Sequence, residues 1–244
     1  MNTAPGPHAL TIAIPVYNEE AILVPNTRRL IAFLDARGVE YQIIIGSNGS
    51  TDRTCTLGEQ LARECPGVDF FHLPERGVGL AFAEFIRRAR YPALVSLDMD
   101  LSVDLRFITD ALPLIGPHAI VVGSKKLASQ RRSLFRKAGS DTFLWVARRL
   151  MRLPYDDYSI GAKAYDVSFL ETHVDGIDRG TSYVLDLCYA AGCEGRTVAC
   201  VPADCEDRRV SRFNLPSEAL YKFRRLFQLW LMTRRKRVLA TEWR

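Results

Sequence analysis

Short apolar runs alternate with amphipathic stretches along the first half of the chain. Leu10–Ile14 reads as a strand ending at Pro15, Tyr41–Ile45 as a second and Val68–Leu73 as a third. Ala93–Leu97 is a fourth and Ala119–Gly123 a fifth. Between them, Glu19–Ala36 carries Ile22, Leu23, Leu30, Ile31 and Leu34 on one face and closes at Gly38, the pattern of a helix whose first turns Pro25 and Asn26 disfavour. A helix capped by Ser50 or Thr51 runs to Glu64 with Asp52 in its first turn. A Gly77-x-Gly79 turn opens another to about Arg90, and Leu105–Leu114 forms a fourth. The second half is less regular. Arg131–Arg152 is basic and amphipathic, Ser159–Tyr165 resembles a strand, Ser182–Ala191 a helix and Thr197–Val201 a strand, and Pro216 starts a last helix to about Leu239.

This rhythm predicts an α/β fold with a mostly parallel sheet flanked by helices. Ligands of such sheets sit beyond the carboxyl ends of the strands. Three of those ends are polar and turn-rich: Pro15-Val16-Tyr17-Asn18-Glu19, Ser47-Asn48-Gly49-Ser50-Thr51-Asp52 and Asp98-Met99-Asp100. Their convergence on one edge is the expected site. The division expected along the chain is a catalytic domain over 1–214 and a basic amphipathic helix and tail over 215–244.

Charge and cysteine content narrow the partners. Lys and Arg number 33 against 28 Asp and Glu, a net charge of +5, and the excess is concentrated in Arg131–Arg152 and Lys222–Arg237. Such patches suit an anionic surface or a phosphate-bearing partner. Phe223, Phe227, Trp230 and Leu231 interleave with the second patch, as in helices that lie on anionic membranes; a terminal helix packed on the core is the competing reading. No motif that reads nucleic acid accompanies the basic segments, so a nucleic-acid partner is not expected. No apolar stretch is long enough to span a bilayer and no secretory signal pattern is visible. These features predict a cytoplasmic location, peripheral at the inner face of the membrane, with a separate membrane protein as a possible partner. The six cysteines are expected to be reduced. Cys188, Cys193, Cys200 and Cys205 form two pairs spaced more widely than zinc knuckles and read as buried small apolar residues.

The acidic pair holds the chemistry. An apolar strand ending in Asp98 and Asp100, followed by Leu101-Ser102, makes a compact oxygen-rich site of the kind Mg²⁺ or Mn²⁺ shares with phosphate oxygens. Ala13-Ile14-Pro15-Val16-Tyr17-Asn18-Glu19-Glu20, Asn48-Gly49-Ser50-Thr51-Asp52 and Asp98-Met99-Asp100-Leu101-Ser102 together resemble glycosyltransferase family 2. The resemblance continues through Val122-Gly123-Ser124-Lys125, Asp157–Tyr165, and Val201-Pro202 with Asp207–Phe213, the order seen in dolichyl-phosphate mannose synthases and related polyprenyl-phosphate glycosyltransferases.

What it implies is a glycosyltransferase A-type fold, a divalent cation, and inverting transfer of a hexose from a nucleotide sugar (GDP-mannose or a UDP-hexose) to a polyprenyl phosphate. Asp100 is the first metal ligand, Asp98 meets the metal through water or meets the ribose, and Ser102 completes the shell. Pro15, Tyr17 and Glu19 line the nucleoside pocket with Asn48, Ser50 and Asp52, although Asp52 serves equally as a helix-start stabiliser. Gly77 and Gly79, after Arg76, allow close approach of the ligand. Lys125, Arg131, Arg208 and Arg212 face phosphates. Asp157 and Asp186 orient sugar hydroxyls or basic residues, and Asp186 is the base if the acceptor is an alcohol. The chain departs from the family pattern where Ser47-Asn48 replaces a pair of aspartates, where Lys125 replaces arginine and where Asp186 replaces glutamate. Those departures motivate one alternative, a nucleotide-sugar-binding regulator without catalysis; the other alternative keeps the fold and donor with a soluble or protein acceptor, if the basic segments do not meet a membrane.

Overall fold

Ile43, Ile44 and Ile45 are consecutive and fully buried, so both faces of the sheet that holds them are covered. The computed structural model describes residues 9–124 and 161–205, together with 223, 224, 226–228 and 231. Strands β1 (Ala9–Val16), β2 (Glu40–Asn48), β3 (Val68–Leu73), β4 (Ala93–Ser96), β5 (Ile120–Ser124), β6 (Lys163–Asp166) and β7 (Val198–Pro202) form one seven-stranded sheet in the order β3-β2-β1-β4-β6-β5-β7. The pairs β1–β2, β1–β4, β2–β3 and β5–β7 are parallel. Strand β6 is antiparallel to both of its neighbours, β4 and β5. This reversal matters for the site: β6 starts at the edge where β4 ends.

The helices are α1 (Leu23–Asp35), α2 (Thr54–Glu64), α3 (Val78–Arg88), α4 (Arg106–Ala111), α5 (Val167–Glu171) and α6 (Tyr183–Cys193). Leu23, Thr27, Leu30 and Leu34 bury the inward stripe of α1. That helix starts at Leu23 rather than Glu19, which places Pro25 in the first turn, where an N–H has no helical partner to lose. Helix α2 likewise starts at Thr54, beyond Ser50 and Thr51. Neither of those caps it; the Asp52 carboxylate, from outside the helix, accepts the Thr54 N–H at 2.9 Å. The described part of the strand expected over Ser159–Tyr165 is Lys163–Asp166.

Aromatic packing joins the two halves. Phe82 of α3 stacks on Tyr183 of α6 at 4.3 Å between centroids and meets Tyr165 of β6 edge-on at 5.2 Å. Cys188 and Cys205 are buried as expected. Cys193 and Cys200 are exposed, because α6 turns the first outward and β7 lies at the sheet edge, so the buried reading covers only half of that set. The expected segment Arg131–Arg152 lies outside the described residues, as does most of the last helix. Of the latter, Leu226 is buried in the common core whereas Phe227 and Leu231 are exposed. No described helix is long and apolar enough to cross a membrane.

Candidate active site

The loops after β1 and β2 interlock. Asn18 adopts φ +53°, a left-handed conformation that asparagine tolerates, and its N–H donates to Ser50 Oγ at 3.1 Å. In return, Asn18 Oδ1 accepts the Thr51 N–H at 2.8 Å. The Glu19 N–H donates to Thr54 Oγ1 at 2.8 Å and the Glu20 N–H to Asp52 Oδ2 at 3.2 Å. Asp52 therefore ties both loops to the start of α2. Burial pushes its carboxyl pKa up, but bonds from the Thr54 hydroxyl, the Thr54 N–H and the Glu20 N–H outweigh that and hold it below the usual carboxylate range.

Asn48 is buried at the end of β2, and its amide donates to the Val16 carbonyl at 3.0 Å. An ionised aspartate could not make that bond. The departure from the family's acidic pair thus stitches β1 to β2. Tyr17 lies half-buried just beyond β1, with the Arg76 guanidinium 3.9 Å from its ring centroid. Gly49, at φ +75°, lies beneath Arg76: a Cβ there would stand 2.8 Å from Arg76 Cγ. Pro15 and Glu19 flank Tyr17 at the same edge, paired through Pro15↔Gly46 and the Glu19–Thr54 bond.

Strand β4 delivers the acidic pair to this edge. The Leu97 N–H continues the pairing with the Ala13 carbonyl, and Asn26 of α1 donates to the Met99 carbonyl at 2.9 Å. The first-loop helix thereby grips the turn that carries both aspartates. Asp98 is exposed and Asp100 half-buried. Asp100 Oδ1 accepts the Ser102 N–H at 3.0 Å, and the Leu101 N–H bonds back to the Asp98 carbonyl. Leu101 holds φ +47° with its side chain buried, a strained conformation that packing enforces directly after the acidic pair. Ser102 Oγ lies 3.9 Å from Cys205 Sγ, where Val103 bridges to Cys205.

The reversed strand supplies the floor. Ser96 faces Lys163 in the β4–β6 register, and two residues on, Gly161 lies against Asp98, where a Cβ would overlap Asp98 Oδ2. Burial first, and then the nearby carboxylates of Asp98 and Asp178, push the Tyr183 hydroxyl pKa well up. Tyr183 lines a cavity of about 70 Å³ with Asp186, His173 and Leu187. Asp186 is one helical turn along α6 from Tyr183 and faces that cavity.

Gly77 and Gly79 make their close approaches to the protein's own chain. A Cβ on Gly79 would overlap the Asp178 carbonyl oxygen, and one on Gly77 would stand 3.1 Å from the Arg179 carbonyl oxygen. The loop before α6 thus seals the start of α3. Lys125, Arg131, Asp157, Arg208 and Arg212 lie outside the described residues. Asn26, Thr54, Gly161 and Tyr183 were not singled out from the sequence. Asn26 could have been: it sits three residues after Leu23 and four before Leu30, on the inward side of α1, where a polar side chain needs a partner.

The family model for glycosyl transferase family 2 matches residues 11–170. The chain belongs to glycosyltransferase family 2. This family 2 glycosyltransferase is 26% identical over 232 residues to glycosyltransferase AglD of Haloferax volcanii, an alignment covering 91% of this chain and 37% of AglD. It is 29% identical over 158 residues to the undecaprenyl-phosphate 4-deoxy-4-formamido-L-arabinose transferase of Pectobacterium carotovorum, covering 64% of this chain and 48% of that protein. The matched regions thus span less than half the length of these relatives. Among solved structures, glucosyl-3-phosphoglycerate synthase from Mycobacterium tuberculosis superposes with a TM-score of 0.66 at 18% identity, over 92% of this chain and 80% of that one. The mannosyltransferase PcManGT from Pyrobaculum calidifontis, solved with GDP-Man and Mn²⁺, gives 0.55 at 19% identity, over 82% and 57%. Both likenesses support the glycosyltransferase A-type fold.

Proposed function

We propose that this family 2 glycosyltransferase moves a hexose from a nucleotide sugar, GDP-mannose or a UDP-hexose, to a polyprenyl phosphate, with inversion at the anomeric carbon. The observation that carries the reading is the interlocked edge. The Asn18–Ser50–Thr51–Asp52 network and the Asn26–Met99 bond hold two polar loops and the acidic pair as one unit beyond the ends of β1, β2 and β4. The named relatives include a transferase to undecaprenyl phosphate, which supports the acceptor class.

The donor set fits a hard divalent cation that keeps most of its shell for phosphate oxygens and water. Among the described residues, no cluster of three or more His, Cys, Asp or Glu could hold a metal by itself, and two carboxylates with a hydroxyl nearby are what Mg²⁺ or Mn²⁺ takes at a diphosphate. When bound there, the cation neutralises the charge that develops on the departing nucleoside diphosphate. Asp100 would offer the oxygen not engaged by the Ser102 N–H, with Asp98, which lies over Gly161, and the Ser102 hydroxyl as the further donors. Tyr17 and Arg76 provide a flat cationic surface for the nucleoside. The acceptor phosphate is ionised at neutral pH, so its oxygen attacks without a general base while the bond from the anomeric carbon to the diphosphate breaks. Lys125, Arg131, Arg208 and Arg212 serve to bring that phosphate in, with Asp157 and Asp186 orienting the sugar or the basic residues. The exposed Phe227 and Leu231, one turn apart beside exposed Arg224, support an anionic membrane surface as the place of transfer.

Incubating the protein with a panel of nucleotide sugars, Mn²⁺ and polyprenyl phosphate tests the reading. A lipid-extractable sugar is expected with at least one donor. Transfer only to soluble acceptors overturns the acceptor assignment, and full activity in Asp100→Ala overturns the metal assignment.

A further inference from the structure

Three side chains that the donor site does not use meet at the carboxyl end of β2, behind the second loop. Cys55 Sγ lies 3.2 Å from His72 Nδ1, His72 Nδ1 lies 3.0 Å from Ser47 Oγ, and Ser47 Oγ lies 3.6 Å from Cys55 Sγ. Ser47 is fully buried, Cys55 is partly exposed and His72 is exposed, so the sulfur is accessible from the side on which the imidazole stands. Ser47 holds the position where the family pattern has an aspartate. Cys55 is the second residue of α2, an eleven-residue helix whose first-turn N–H groups face this end.

The arrangement supplies what a nucleophilic thiol requires. With its proton on Nε2, His72 can accept the thiol proton at Nδ1, the Ser47 hydroxyl can donate towards the sulfur as charge builds on it, and the helix start favours negative charge. Cys193 makes a useful contrast, because it is exposed at the end of α6.

We propose that Cys55 is a modification site for low-molecular-weight disulfides, and that an adduct there loosens the loop proposed to hold the donor. In the reaction the thiol proton passes to His72 Nδ1 as Sγ attacks one sulfur of the disulfide. A new S–S bond forms to Cys55, the original S–S bond breaks, and the departing thiolate takes the proton from the imidazole. No external oxidant beyond the disulfide is consumed. The adduct must be accommodated where the sulfur now meets His72 and Ser47. Cys55 directly follows Thr54, whose hydroxyl accepts the Glu19 N–H, and Ser47 directly precedes Asn48, whose amide holds the Val16 carbonyl. Separating Cys55 from Ser47 therefore pulls on both ties. The significance for the donor rests on the proposed function; the reaction and the loosening do not.

The reduced protein is treated with glutathione disulfide, and adducts are quantified by peptide mass spectrometry over time. Cys55 should react at least about tenfold faster than Cys193, and His72→Gln should slow Cys55 about tenfold while leaving Cys193 unchanged. Because His72 is exposed, that variant is expected to keep the parent melting temperature. Amide hydrogen exchange over residues 49–54 should accelerate at least about threefold in the adduct and return on reduction. The same treatment of Cys55→Ser should leave it unchanged. Equal rates at Cys55 and Cys193, or indifference of Cys55 to His72→Gln, overturn the modification site. Unaltered exchange in fully modified protein overturns the coupling. None of these readouts requires transferase activity, so failure here is distinguishable from failure of the proposed function.

Discussion

Gly161→Ala separates the role proposed for the acidic pair from the fold's stability. The glycine faces Asp98 across the β4–β6 pair, and an alanine methyl there would overlap Oδ2 while standing 2.5 Å from Cγ and 2.9 Å from Oδ1, against an ordinary contact of 3.4 Å or more. The carboxylate must withdraw by roughly 1 Å, a displacement that costs about 10²-fold when it affects a group positioned for reaction. The structural cost is small by comparison. Asp98 is exposed and its carboxylate is the free end of a side chain, so the adjustment is about one off-rotamer torsion, ~0.5–1.5 kcal/mol. Turnover should therefore fall about 30- to 100-fold while the melting temperature moves by no more than about 4 °C.

On the proposed function, the assay is initial-rate transfer from the active nucleotide sugar to polyprenyl phosphate, with Mn²⁺ titrated in each variant and thermal unfolding measured alongside. Mn²⁺ affinity in the presence of the nucleoside diphosphate should weaken about tenfold, the lower end of what losing a ligand's support costs. The decisive comparison is a double-mutant cycle with Asp98→Ala. If Gly161 acts only by leaving room for Asp98, adding Gly161→Ala to Asp98→Ala should change the rate by less than about twofold. Multiplicative losses in the double variant, or full activity in Gly161→Ala alone, would refute the argument.

Gly79→Ala should behave in the opposite sense, because its methyl meets the Asp178 carbonyl of the backbone; a loss of about 2 kcal/mol or more, read by urea unfolding, is expected. Asp52→Ala removes the tie between the first two loops and should cost about 1 kcal/mol at pH 7, typical of a lost helix-start acceptor. The folded pKa of Asp52 is depressed, so its contribution is complete above the unfolded value of about 3.9 and disappears as pH falls through the folded value. Parent and variant melting temperatures should accordingly converge below about pH 4, and a gap that widens on acidification contradicts the assignment. Asn48→Asp should cost about 1–3 kcal/mol near neutrality by setting an ionised oxygen against the Val16 carbonyl, with partial recovery in acid, where the protonated carboxyl can donate. Equal stability at both pH values would show that the Asn48 bond contributes nothing.

The parallel half of the sheet was legible because its signals are local. Leu10–Ile14, Tyr41–Ile45, Val68–Leu73 and Ala93–Leu97 each announce a buried strand by an apolar run between turn residues, and the strand ends that carry Tyr17, Asn48 and Asp98 follow from that placement. The helix starts were read a few residues early. Glu19, Ser50 and Thr51 look like helix-opening residues, yet their backbone and side-chain groups are engaged across the two loops, with Asn18 and Thr54 as partners 32 to 35 positions away. Periodicity carries no record of such pairings. The same limit explains Asp52: the spacing admits a helix-start role or a ligand role, and only the Glu20 N–H bond reveals that it joins one loop to the other.

Strand β6 sets the deeper limit. A run such as Lys163-Ala164-Tyr165-Asp166 predicts a strand but not its direction, since apolar alternation is the same read either way. The direction decides the site. Running antiparallel to β4, β6 brings its start to the end of β4 and sets Gly161 against Asp98. Run parallel, it would put its other end at that edge, with Asp166 and its tie to Arg196 where Gly161 now lies. The acidic pair is thus a local feature of β4, but the space it stands in is made by a strand more than sixty residues later. A single glycine substitution can therefore probe whether that space, and not the pair alone, makes the chemistry possible.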